Sequence, residues 1–258
     1  MRRWIVLGYG VLAYVGFLGV FLYAIGFIGN LGVPRAIDSA PQAPFSRAIL
    51  INAALLTLFA MQHSVMARPT FKRWWTQFIP VPLERSTYVL ASNICLILLF
   101  AFWQPMGGIL WDAQGAVSQA TLTAVFFVGW MMVLITTFLI NHLELFGLQQ
   151  VWNYFQGKQT SAPEFVTPGP YRFVRHPLYV GWLIAFWATP IMTAAHLMFA
   201  IMTTAYILVA IQLEERNLVE AHGEAYAQYR REVPMLVPRI GGTGNVDSGA
   251  KAVTMFGE

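Results

Sequence analysis

Four short stretches carry the side chains able to do chemistry. The stretch Tyr171–Trp182, YRFVRHPLYVGW, sets Arg172, Arg175 and His176 at the mouth of an apolar run. A rigid TPGP turn, Thr167–Pro170, precedes it, and Pro177 suits the first turn of a helix. Plain anchoring to headgroups requires neither feature. At the far end of the apolar run stand two adjacent carboxylates, Glu214 and Glu215. Cations beside carboxylates match a zwitterionic ligand. Arg175 or His176 takes its carboxylate, and Glu214 or Glu215 its ammonium or ribose hydroxyls. Two further polar groups interrupt apolar runs: QHSVMAR, Gln62–Arg68, and NHLELFGLQQ, Asn141–Gln150. Gln62, Ser64 and Asn141 are candidates for holding a substrate. Asn141 and Glu144, three apart, share one helix face, and His142 points elsewhere.

These groups must be positioned by membrane helices. The chain is 57% hydrophobic and 11% charged, where soluble domains carry about 25% charged residues. Polar ionisable groups near membrane spans are costly and therefore informative. Six apolar segments stand out, approximately Ile5–Ile28, Ile49–Met66, Tyr88–Gln104, Leu122–Ile140, Leu178–Thr193 and Leu197–Leu213. The first lacks a cleavage site after a short apolar core and reads as a retained helix. Between Leu178 and Leu213 lie 36 residues without Asp, Glu, Lys or Arg. As one helix they would reach ~54 Å, and one span needs only about 20 residues. Pro190 breaks the run near its middle. The expected fold is an all-α integral membrane protein of five to six transmembrane helices, the last two a helical hairpin. A cytoplasmic amphipathic helix with Tyr226 and Tyr229 should follow Glu214-Glu215. The hairpin brings Arg175-His176 and Glu214-Glu215 to one side, as a polar cup.

Basic residues fix the orientation. All of the 16 Lys and Arg except Arg35 and Arg47 fall at the N-terminus, in the second and fourth connections or after the last span. Six spans with both termini cytoplasmic satisfy the positive-inside bias. The expected site is thus an integral membrane protein, in the bacterial inner membrane, in contact with the lipid bilayer. The basic pI reflects that topology and no nucleic-acid partner. No metal is expected: His63, His142 and His196 lack a paired helical spacing, and there are no cysteine pairs. Haem would need histidines at matching depths. No glycine-rich phosphate loop is present. Cys95, the single cysteine, reads as a small packing residue. Residues 1–240 form one domain, 1–150 supplying the N-terminal helices and 151–240 a ligand-binding portion. The Gly-rich segment 241–258 is expected to be disordered. A transporter would instead place charges at mid-membrane and repeat its halves. An electron-transfer subunit would show an absorption spectrum.

The pattern GPYRFVRHPLYVGW, then EE, then GEAYAQYRREVP resembles the isoprenylcysteine carboxyl methyltransferase-like membrane methyltransferases, a superfamily shared with phospholipid methyltransferases. QHSVMARPTFKRWW, PLERSTYVL and HLELFGLQQVW look like the branch that contains the bacterial methanethiol S-methyltransferases. The resemblance implies S-adenosyl-L-methionine as methyl donor. It implies a cofactor site lined by Tyr171, Arg175, His176, Tyr179, Glu214 and Glu215. It implies methylation of a small thiol, methanethiol, to dimethyl sulfide. A lipid amine or a prenyl-cysteine carboxylate is the alternative acceptor. A thiol must lose its proton, and a reference thiol has a pKa of about 8.5. His63, His142 and Glu144 are the candidate bases, and the sequence favours none of them. Oligomeric state leaves no mark on the sequence.

Overall fold

The structure is a computed structural model that describes residues 2–158 and 169–239. The elements run α1 (Arg2–Gly29), α2 (Phe45–Met66), α3 (Pro69–Trp75), α4 (Glu84–Phe102), β1 (Ile109–Asp112), α5 (Ala116–Ile140), α6 (His142–Leu145), α7 (Leu148–Gln156), α8 (Pro177–Trp187), β2 (Ile191–Thr193), α9 (Ala194–His222) and α10 (Glu224–Glu232). Among the described residues five helices are long and apolar enough to cross a membrane: α1, α2, α4 with its leading turn, α5 and α9. The all-α membrane fold read from the sequence is the observed one, apart from one two-stranded ribbon of β1 and β2.

The bundle is apolar on both sides of its wall. Leu12, Leu22, Leu50, Ile97, Val128, Phe138 and Val209 face outward and are exposed, as lipid-facing residues must be. Phe27, Leu99, Phe126, Trp130, Phe199 and Ile211 fill the interior. Some buried polar groups meet helix ends, where backbone groups lack partners. Asn52 donates to the Gln104 carbonyl at 2.7 Å and accepts from the Gln104 amide at 2.8 Å, closing the end of α4.

The hairpin differs from two full helices. α8 has 11 residues, which is ~16 Å, too short to cross. Yet His176, at its start, bonds Glu215, and Ala194, at the end of β2, starts α9. The 21 residues of α9 between those levels rise ~32 Å. The segment 177–193 therefore traverses the bundle as a half-length helix followed by extended chain. Pro190 lies three residues past Trp187, so the helix stops short of it. β1 pairs antiparallel with β2 and supplies the backbone partners that the helix no longer can. α8 is held lengthwise against α5 by two glycines. A Cβ on Gly129 would lie 2.6 Å from the Ala185 nitrogen, and one on Gly181 2.9 Å from the Gly129 oxygen.

Two boundaries also depart from the sequence reading. The last span does not end at Leu213: α9 runs on through Glu214 and Glu215 to His222, because the following residues are mostly good helix formers. It stops at Gly223, whose φ is +57°, and α10 then carries Tyr226 and Tyr229 inward. After α5, Asn141 adopts φ +141° and breaks the helix, so NHLELFGLQQ forms two short helices and not one continuation. The segment 241–258 lies outside the described residues, as do Thr167 and Pro168 of the TPGP turn.

Candidate active site

The RHP turn is built into the C-terminal segment by its backbone. The Arg175 amide donates to the Pro234 carbonyl at 2.9 Å, and the His176 amide to that of Met235 at 3.2 Å. The Arg175 side chain is buried. Its Nε donates to Glu215 Oε1 at 2.7 Å, and one Nη donates to the carbonyls of Arg230 and Val233 at 3.0 and 2.5 Å. His176 Nε2 lies 3.0 Å from the same Glu215 oxygen. Tyr229 donates to the Tyr171 carbonyl at 2.7 Å. Burial raises the Tyr171, Tyr226 and Tyr229 phenols, so all three stay protonated. Arg175, His176 and Glu215 thus satisfy one another, which a buried ion pair needs if it is to be stable.

Glu214 faces the other way. It accepts from Tyr179 at 2.9 Å and lines a cavity of about 140 Å³ among α2, α4, α8 and α9. Ser64, His63 and Arg68 reach it from α2 and its end, Lys72 from α3, Arg85 and Tyr88 from α4, and Tyr206 and Asn217 from α9. Ser64 donates to Tyr206 at 3.3 Å. The Arg85 guanidinium sits 5.2 Å from the centroid of the Tyr88 ring, a cation–π contact. His63 Nε2 is 2.7 Å from Tyr88 Oη, and its Nδ1 is 3.2 Å from Ser92 Oγ.

Of the residues singled out in the sequence, His63, Ser64, Tyr179 and Glu214 line this one cavity. Arg175, His176, Glu215 and Tyr171 form the buried layer beside it. Gln62 is on α2 but turns away; its amide nitrogen lies 3.3 Å from the Met66 sulfur. The NHLE group is elsewhere. His142 is buried against Phe138, ring centroids 4.3 Å apart, with Tyr14 Oη 2.9 Å from Nε2 and Thr137 Oγ1 2.9 Å from Nδ1. Burial lowers its pKa and keeps the ring neutral. Asn141 donates to Glu144 at 2.8 Å in an exposed pair that caps α6. The sequence reading did not single out Arg68, Lys72, Arg85, Tyr88, Tyr206 or Asn217. Tyr206, Ala210, Glu214 and Asn217 are spaced by four, four and three on α9, which puts them on one face. That signal becomes legible only once α9 is known to continue past Leu213.

The cavity mixes cations, one carboxylate and three phenols, a set suited to a ligand that carries charges of both signs. The phospholipid methyltransferase family matches residues 123–225, spanning α5 to the start of α10. The chain is 55% identical over 241 residues to a methanethiol S-methyltransferase of Crocosphaera subtropica, covering 93% of this chain and 94% of that one. It is 51% identical over 238 residues to a methanethiol S-methyltransferase of Mycobacterium tuberculosis, covering 92% and 98%. Nurim of Sus scrofa is 30% identical over 207 residues, covering 75% and 78%. No solved structure matches. Identity of this degree along nearly the whole of both chains places the chain in the methanethiol S-methyltransferase family of membrane methyltransferases.

Proposed function

We propose that the chain methylates methanethiol to dimethyl sulfide with S-adenosyl-L-methionine as donor, at the membrane's cytoplasmic face. The observation that carries this reading is the cavity where Glu214, Tyr179, Tyr88 and Tyr206 meet Arg68, Lys72 and Arg85. The residues present fit the donor chemically. The basic groups suit its carboxylate, Glu214 and Asn217 its ammonium or hydroxyls, and the phenol faces its sulfonium, each such contact being worth about 0.5–2 kcal/mol. Bound there, the donor supplies an electrophilic methyl group. At about 140 Å³ the cavity is smaller than the roughly 300–1,000 Å³ of pockets that enclose drug-sized ligands. It accounts for the donor's reacting end and a very small acceptor, not for the donor's whole length. The relatives' name supplies the identity of that acceptor.

The setting favours the reaction. A thiolate and a sulfonium lose their charges as the methyl group moves, so the transition state depends on water less than the reactants do, and enclosure in a cavity assists it. The test is purified protein in detergent with the donor and an acceptor series, volatile products being separated by gas chromatography. Methanethiol should react fastest and ethanethiol more slowly, since one methylene in a closed pocket is worth about 1–3 kcal/mol. Farnesyl-cysteine should hardly react. Efficient turnover of farnesyl-cysteine, or of a lipid amine in preference to any thiol, overturns the small-thiol reading.

A further inference from the structure

We infer that Tyr88 is the group that takes the proton from the thiol, and that His63 behind it receives the proton in turn, its tautomer set by Ser92. This rests on the thiol reading above. The hydrogen-bond directions follow from the partners. Ser92 Oγ donates to the Tyr88 carbonyl one helical turn back, at 3.0 Å. Its only hydrogen is thereby used, so toward His63 Nδ1, 3.2 Å away, it accepts. His63 therefore carries its hydrogen on Nδ1, and Nε2 presents a lone pair. That lone pair meets the Tyr88 hydroxyl at 2.7 Å, so Tyr88 is the donor. The phenol oxygen keeps a free lone pair and belongs to the cavity lining. A sulfhydryl in the cavity has an acceptor there, with a second acceptor already aligned behind it. His63 is stacked on Phe59, ring centroids 5.2 Å apart, which fixes its plane.

The step balances. The S–H bond breaks and its electron pair forms the new bond from the thiol sulfur to the methyl carbon, while the methyl–sulfonium bond breaks, its pair stays on the donor's sulfur, and the donor leaves as a neutral thioether. The thiol proton passes to Tyr88 Oη as the phenol's own proton passes to His63 Nε2. The positive charge lost from the sulfonium reappears on the imidazole, so the net charge of the closed site does not change. The proton then returns through Tyr88 to the cavity mouth. Other ionisable groups bear on this transfer. Arg85, over the Tyr88 ring, opposes charge on His63, as do Arg68 and Lys72 at the mouth. Glu214 favours it, with Glu84 on α4 nearby, and Tyr179 and Tyr206 complete the surround. The other sequence candidates, His142 and Glu144, line no part of this cavity.

The experiment measures kcat and KM of the full chain in detergent from pH 6.5 to 10, for methanethiol and for a more acidic fluorinated ethanethiol. Wild type is compared with Tyr88→Phe, His63→Gln, the double variant and Ser92→Ala. With methanethiol near pH 7, Tyr88→Phe and His63→Gln should each lose about 10²–10⁴-fold in kcat, with the donor KM nearly unmoved. The deficit should shrink toward pH 10, where the thiolate forms unaided, and shrink again for the acidic thiol. The double variant should be no worse than either single one, as for residues that act as a unit. Ser92→Ala leaves both rings in place and releases the tautomer, so its rate should fall and recover with pH in the same way. It decides the matter if His63→Gln does not fold. Near wild-type rates in Tyr88→Phe overturn the relay. Equal deficits at every pH and for both thiols, or an unchanged profile in Ser92→Ala, also overturn it by making the contacts purely structural. A wild-type protein that methylates no thiol at all fails the underlying function instead, and the two outcomes are separate readings of one assay.

Discussion

Glu214 and Glu215 are neighbours in sequence and do different work. Glu215 is buried with Arg175 and His176 on one of its oxygens, and Arg230 Nη1 lies 3.9 Å from the other. Glu214 has Tyr179 as its hydrogen-bond partner and faces the cavity. Removing Glu215 strands a buried guanidinium, at a cost of about 3–5 kcal/mol. Replacing Glu214 by Gln strands no charge inside the fold and keeps an amide oxygen to accept from Tyr179. Glu215→Gln should therefore lower the melting temperature clearly. Glu214→Gln should leave it nearly unchanged and weaken binding of S-adenosylhomocysteine by about 2–5 kcal/mol. Thermal unfolding and calorimetric titration of both variants check this. Matching losses in the two variants would show that the carboxylates share one role.

At the scale of elements, the crossing of α8 decides whether a site exists. α8 carries Tyr179 toward the cavity, and its approach to α5 depends on two hydrogen-sized side chains. A Cβ on Gly181 would meet the Gly129 carbonyl and the Val133 nitrogen, each at 2.9 Å, and neither backbone atom can rotate away. Gly181→Val should cost about 1–3 kcal/mol by overpacking and lower activity by displacing α8. Gly8→Ala is the control, since nothing lies within 4 Å of its Cβ position, and alanine inside a helix stabilises by roughly 0.5–1 kcal/mol over glycine. The pair is compared by folded yield and melting temperature. A Gly181→Val protein as stable as wild type would mean that α8 is free to shift. The outer end of the same crossing is fastened by His196, whose ring contacts Asp38 at 3.0 Å and the Phe186 carbonyl at 3.0 Å, tying the α1–α2 loop to α8 and α9.

For the whole molecule, the described basic residues divide between the two ends of the bundle. Only Arg35 and Arg47 lie at the end that holds β1 and β2, and the others lie at the end of the RHP turn and the cavity. The positive-inside bias supports the cytoplasmic placement proposed for the cavity. In a Cys95→Ser background, Gln42→Cys should react with a membrane-impermeant maleimide on intact cells. Arg231→Cys, exposed on α10, should react only after permeabilisation. The reverse labelling order would overturn the cytoplasmic placement proposed for the cavity.

The sequence by itself determined the class, the number of crossings to within one, the polar ends and the groups worth testing. It could do so because apolar length and the cost of a charge in lipid act locally, residue by residue. His63, Ser64, Tyr179 and Glu214 were all singled out in it. What it did not hold was their grouping. Whether Glu214 or Glu215 faces inward depends on the phase of α9, which is set by continued helix past Leu213 and by packing against α8. The meeting of Tyr88 with His63 joins two helices 25 positions apart, and the seclusion of His142 among Phe138, Tyr14 and Thr137 joins three segments. Local patterns are silent on such contacts. They arise from close packing between helices, where a pair of glycines permits one approach and excludes others.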